Sequence, residues 1–221
     1  MPGRDDLVAN LALIRQRIEL AGADPELVQV VAATKGRSPQ ECRWALAAGI
    51  TALGENRVQE ALAKMEQVSA PSWHLIGHLQ RNKVGRAQGR FGLIQSIDSL
   101  ELAQALACAG GGRVLIEVNI ASEPAKTGVP PEAVPELAPR VAELLELEGL
   151  MTMAPQEGEP QPHFRRMRRL RDEVEQRLGR ALPVLSMGMS QDYPAACREG
   201  STMIRIGRGL FGPPGALAPG R

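Results

Sequence analysis

Eight short apolar runs, each followed by a segment long enough to wind into a helix or by a loop, constrain this chain more than any other feature. The runs are Val28–Thr34, Ile50–Gly54, Trp73–Gly77, Leu93–Ile97, Val114–Ile120, Leu147–Met153, Pro183–Met187 and Thr202–Ile206. Each is too short for a stable helix and is flanked by Gly, Pro or polar residues. Length and flanks therefore predict strands buried on both faces. Between them lie Pro39–Ala48, Val58–Val68, Asn82–Gln88, Leu100–Ala109, Pro131–Leu145, Gln161–Leu178 and Asp192–Glu199. In Gln161–Leu178 the apolar residues Phe164, Met167, Leu170, Val174 and Leu178 step by three or four and form one stripe. Ser38 before Pro39, with Glu41 following, reads as a helix N-cap, and Asp98 or Ser99 plays that part before Leu100. Gly49, Gly110 and Gly179 fall where helices should end. A further helix, marked by Leu7, Leu11, Ile14 and Ile18, precedes the first strand.

Eight strands alternating with helices in 221 residues is the count of a single (β/α)8 TIM barrel, here with an extra N-terminal helix. A doubly wound open sheet is the rival, since strand number does not prove closure. The expected organisation is one barrel domain over 1–212 and a flexible tail over 213–221, rich in Pro, Gly and Ala.

Composition narrows the function classes. A net charge of +1 gives no global attraction to nucleic acid or an anionic membrane, and no apolar run approaches the roughly 20 residues that span a bilayer. The start carries no apolar secretory segment, so a cytoplasmic protein is expected. Three cysteines, far apart and without neighbouring ligands, argue against disulfides and zinc, and no metal site is expected. The basic run Arg165–Arg171 reads as a solvated helix face, because the aromatics that would stack on bases are missing.

In a barrel of this kind the site forms at the C-terminal ends of the strands. Almost every run here ends in a polar residue or Gly: Lys35, Asn56, His78, Asp98, Asn119, Thr152, Ser186 to Ser190, and Arg205 to Gly207. Lys35 is one of only four lysines among 26 basic residues. A desolvated lysine can lose its proton and form an imine, which arginine cannot do. A strand-end lysine reaching solvent is the equally weighted alternative. The Ser186–Ser190 loop and Gly207-Arg208-Gly209, at the ends of strands seven and eight, sit where this fold binds phosphate; ordinary turns are the other reading. Gly207–Gly212 also matches a dinucleotide fingerprint, but only nine residues follow it, too few for the strand and acidic residue that motif needs. His74 and His78 are four apart on a strand; His78 can face the site, while His74 reads as structural.

In this order and spacing the stretches Val31–Lys35, Gly54–Glu60, Trp73–Gln80 with Asn82-Lys83, Ile97–Ser99, Val118–Ile120 with Lys126–Gly128, Gly149–Met151, Leu185–Ser190 and Gly200–Gly207 resemble the pyridoxal 5′-phosphate homeostasis proteins. That family has the barrel of the alanine racemase N-terminal domain. The resemblance implies that Lys35 holds pyridoxal 5′-phosphate as a Schiff base. It implies a phosphate cradle from Ser186, Met187 and Ser190 with the Gly207 and Arg208 amides. It places Arg205 near the pyridine nitrogen, and Asn56 and His78 facing the ring. The family's second lysine after the Schiff-base lysine is absent here; Arg37 keeps the charge. Lys83 and Lys126 match other recurrent lysines, as secondary contacts or rim charges. The implied function is a monomeric cofactor carrier in intracellular homeostasis, not an enzyme, that can pass the cofactor to apo-enzymes. The competing class is an amino-acid racemase. That reaction needs a second acid/base group, and the one tyrosine, Tyr193, lies past the phosphate loop. A third reading is a cofactor-free phosphosugar isomerase, with Glu55 or Asp98 as base.

Overall fold

The computed structural model describes residues 4–124, 126–155 and 157–212. Eight parallel strands, β1 (Gln29–Ala33), β2 (Ala52–Glu55), β3 (Ser72–Leu75), β4 (Leu93–Ile97), β5 (Arg113–Val118), β6 (Glu146–Thr152), β7 (Val184–Ser186) and β8 (Met203–Ile206), close into a barrel in sequence order. Closure is made by β1 against β8, with Gln29 opposite Met203 and Ala32 opposite Ile206. The open-sheet alternative is thereby excluded.

Around the barrel run α1 (Arg4–Leu20), α2 (Pro39–Ala47), α3 (Val58–Met65), α4 (Val84–Ala87), α5 (Leu100–Cys108), α6 (Val134–Leu144), α7 (Gln161–Leu178), α8 (Tyr193–Arg198) and α9 (Arg208–Phe211). The α2 cap forms as the sequence predicts: Ser38 accepts from the Glu41 amide, Glu41 reaches back to the Ser38 amide, and Pro39 opens the helix. Ser99 caps α5 through the Leu102 amide. The four-residue α9 is too short to cover β8, and α1 takes over that task. Its stripe Leu7, Leu11, Ile14 and Ile18 is buried with Val28, Ile204, Leu210 and Phe211, and Asn10 donates to the Leu210 carbonyl at 3.0 Å. The basic face of α7 is solvated as the sequence predicts, Arg165, Arg166 and Arg169 being exposed, while Arg165 and Arg168 also pair with Glu199 and Arg177 with Glu136. The expected tail, 213–221, lies outside the described residues.

Side chains alternate along each strand, so the barrel interior is built in steps of two residues. The lowest step is apolar: Val31, Ala52, Leu93, Leu115, Met151 and Met203 pack into one cluster. Two residues further along the same strands come Ala33, Gly54, Gln95, Glu117, Met153 and Arg205. One step above these, past the strand ends, stand Lys35, Asn56, Asn119 and Gly207. The interior thus changes from hydrocarbon to polar toward the strand C-termini.

Candidate functional site

The polar middle of the barrel is a directed chain of hydrogen bonds. The Arg205 guanidinium donates to Ser186 Oγ at 2.6 Å and to the Thr152 carbonyl at 2.7 Å. Ser186 donates to Gln95 Oε1 at 2.7 Å, and Gln95 Nε2 in turn meets His74 Nδ1 at 3.1 Å. Each donor in that order leaves His74 Nδ1 only the acceptor role, so the imidazole is neutral with its proton on Nε2. Burial, helped by Arg113, pulls the His74 pKa from 6.5 to about 4. Burial also lowers Arg205 to about 10, against the pull of Asp192 and Glu117, so it stays cationic at neutral pH. Glu117 reaches Arg205 electrostatically and accepts from Thr127 at 2.7 Å, while its other oxygen is buried without a partner. Burial, with Asp98, pushes its carboxyl above the ordinary range against the Thr127 hydrogen bond.

A stability prediction follows from His74. Its folded pKa lies below its unfolded one, so acid protonates the unfolded chain first. Stability is therefore lost as pH falls from 6.5 toward about 4, by as much as roughly 3 kcal/mol. His74→Asn keeps an acceptor for Gln95 but does not titrate. Denaturation midpoints across this range should fall more steeply in the wild type than in His74→Asn.

Above this layer opens a cavity with two lobes that share Lys35 and Asn56. The larger, about 610 Å³, lies toward β1 and β6 to β8 and is lined by Ser190, Asp192, Arg205, Gly207 and Arg208 together with Met153 and Met189. The smaller, about 400 Å³, lies over the ends of β2 and β3. Lys35 is exposed in this cavity, not desolvated as the imine argument assumed. Gly188, at φ +96, lets the β7 loop lie against α8, where a Cβ would come within 2.7 Å of Ala196. The loop is pinned by Asp192, which accepts from the Met189 amide at 2.6 Å, and by Ser190, which accepts from the Gly209 amide at 3.0 Å.

Seven of the expected residues, Lys35, Asn56, His78, Ser190, Arg205, Gly207 and Arg208, line the cavity. Two do not. Ser186 is fully buried beneath Arg205, so it orients the guanidinium instead of facing a ligand. The Met187 side chain is fully buried in the layer between barrel and helices. His78 is held by Asp98 at 2.9 Å. Glu55, weighed above as a base, faces away from the cavity. Ala52, Gly54 and Asn56 take the inward positions of β2, and the Glu55 carboxylate lies between strand and helices, bonded to Thr34 at 2.6 Å and to Lys64 of α3. Burial raises the Cys42 and Cys197 thiols to about 11, which leaves them inert.

Sequence reading missed Gln95, Glu117 and the pair Glu55 and Lys64. For Gln95 and Glu117 the signal was there: a polar residue inside an apolar strand must point at something polar. Lys64 gave none, since a lysine on an amphipathic helix is ordinary.

The sequence profile of the family described as "Alanine racemase, N-terminal domain" matches residues 4–214. A pyridoxal phosphate homeostasis protein of Aquifex aeolicus is 40% identical over 214 residues, covering 91% of this chain and 94% of that protein. The chain belongs to the pyridoxal phosphate homeostasis protein family. PipY of Synechococcus elongatus, solved with PLP bound, is 34% identical and superposes with a TM-score of 0.80 over 93% of this chain and 100% of its own. The alanine racemase of Corynebacterium glutamicum shares the fold, with a TM-score of 0.77 at 18% identity over 99% of this chain and 64% of that one. No helix among the described residues is long and apolar enough to cross a membrane, and no group of ligands there could hold a metal ion.

Proposed function

We propose that the chain binds pyridoxal 5′-phosphate covalently through Lys35 and serves as a carrier in cofactor homeostasis, without substantial turnover of its own. One observation carries this reading: Lys35 stands at the junction of the cavity with no hydrogen-bond or ion-pair partner among the described residues. The remaining donors suit the rest of the molecule. A hydroxyl at Ser190 and backbone N–H groups at Gly207 and Arg208 fit a phosphate, and the buried cation of Arg205 fits the ring nitrogen. When bound, the cofactor supplies an electron-withdrawing ring conjugated to an aldehyde. A cation beside the nitrogen disfavours its protonation and weakens that ring as an electron sink, in keeping with holding over catalysis. Tyr193, the sole tyrosine, is buried in the outer cluster with α1 and is out of reach as a second base. The relatives' names and the PLP-bound relative support the same reading. On it the chain acts as a cytoplasmic monomer that exchanges cofactor with apo-enzymes dependent on it.

The test is to mix the purified protein with pyridoxal 5′-phosphate, record the visible spectrum, reduce with borohydride and map the modified peptide. The expected result is an absorption band that reduction bleaches, an adduct on Lys35, and loss of both in Lys35→Ala. An unchanged band in Lys35→Ala, or no band in the wild type, overturns the assignment. Incubation with L-alanine in D2O should leave the α-proton unexchanged; steady exchange would favour the racemase.

A further inference from the structure

Beyond Lys35, Asn56 and His78, which that reading sets against the cofactor, the smaller lobe extends over residues to which it gives no ligand. It is lined by Lys35, Asn56, Arg57, Gln59, His78 and Lys83, among others, and no carboxylate is part of its lining. The Lys83 ammonium has no hydrogen-bond or ion-pair partner among the described residues, and neither has that of Lys35; the Lys83 backbone amide donates to the Gln80 carbonyl at 2.9 Å. Arg57 is matched only in part, by Glu60 at 3.2 Å on the exposed side of α3. Arg57 also occupies the N-cap of α3 and provides no side-chain acceptor, so the first-turn amides beside Val58 and Gln59 have no cap from it. Gly77 gives the lobe its shape, since a Cβ there would lie 2.5 Å from the Asn56 carbonyl. Cations, amides and donor side chains around an open volume, with nothing anionic in the wall, describe a site built to receive an oxyanion.

We infer that the lobe over β2 and β3 is a second anion subsite, and that its ligand is the carboxylate of a small amino acid. The choice of ligand rests on the reading of Lys35 given above. Both lobes meet at that lysine. A carboxylate held at Lys83 and Arg57 leaves the α-amine of a small amino acid facing the point where the carrier holds an aldehyde. An amine arriving there exchanges with Lys35: its nitrogen forms the double bond to the former aldehyde carbon, the double bond from that carbon to Lys35 Nζ breaks, and the two protons of the neutral incoming amine pass to the lysine, which leaves as a neutral amine. Nothing is oxidised or reduced. The consequence is a release route in which amino-acid concentration sets how readily the bound cofactor is freed.

Calorimetric titration of the full chain, free of cofactor, with L-alanine, propionate and inorganic phosphate tests the subsite. L-Alanine and propionate should bind the wild type, and Lys83→Met should weaken both by about tenfold, the effect of losing one charge-assisted hydrogen bond. Lys83→Arg should retain most of the affinity, which separates loss of charge from loss of fold. Absent binding of both carboxylates, or affinity unchanged in Lys83→Met, overturns the proposal. Phosphate binding that depends on Lys83, with no carboxylate binding, overturns the choice of ligand. Cofactor uptake is scored by absorbance in a parallel sample. A missing band there with alanine binding intact refutes the Lys35 reading, and the reverse pattern refutes only the subsite.

Discussion

Gly149→Ala is expected to abolish the native barrel. Gly149 lies on β6 just after a register shift against β5, between the pairs Val114 with Leu147 and Leu115 with Gly149. On the other side it faces Val184 of β7. A Cβ built there would sit 1.7 Å from the Val184 carbonyl oxygen and 2.6 Å from its carbon. The obstacle is backbone, so no rotamer change relieves it. To make room, the strands would have to separate by more than roughly 1 Å in a close-packed interior. In a closed barrel, β6 and β7 are each bonded on both sides, so that movement is transmitted around the ring. The loss should reach the upper range for single substitutions, about 4–5 kcal/mol or more, against a total of about 5–15. Circular dichroism and soluble yield would check it. Gly85→Ala, where nothing lies within 4 Å, is the control and should melt like the wild type. A native melting temperature for Gly149→Ala would mean that β6 and β7 are spaced differently.

The second large effect concerns Lys64. Its ammonium bonds the Glu55 carboxylate and donates to the Thr34 carbonyl at 2.6 Å, one residue before Lys35. The Glu55 side chain is 0% exposed and its second oxygen is buried with no partner. Lys64→Met removes the countercharge and leaves the carboxylate with only the Thr34 hydroxyl, a change that costs about 3–5 kcal/mol for buried pairs. Adding Glu55→Gln removes the uncompensated charge and should return much of that loss. Urea denaturation of the two single variants and the double variant would read the coupling directly. Additive losses would mean that the ion pair contributes nothing as a pair.

The strands were legible because burial on both faces leaves runs with sharp polar edges. The observed bounds of β4 coincide with the expected run, Leu93–Ile97, and those of the other strands fall close to theirs. The α1 stripe and the Ser38 cap were equally plain, since both are local. Orientation was harder. Asp98 turns toward His78 because the register shifts between Ile94 and Ile97, and nothing in the residues announces that shift. Glu55 could have been placed by counting from Asn56, because adjacent strand residues face opposite ways. The Arg205, Ser186, Gln95, His74 chain joins residues from strands β8, β7, β4 and β3, so it exists only once the barrel closes. The short α9 escaped notice because Arg208–Phe211 is a single turn with no periodicity to detect.

The hydrocarbon step formed by Val31, Ala52, Leu93, Leu115, Met151 and Met203 does more than fill space. It makes the interior a blind well instead of a through-channel. Anything small that occupies the cavity cannot pass through this floor, so arrival and departure both take place at the strand C-terminal end. A protein that collects cargo from this well must dock over the rim, and while it is docked no replacement can enter. On the proposed carrier role, delivery and refilling would therefore alternate, an order set by the closed floor of the barrel.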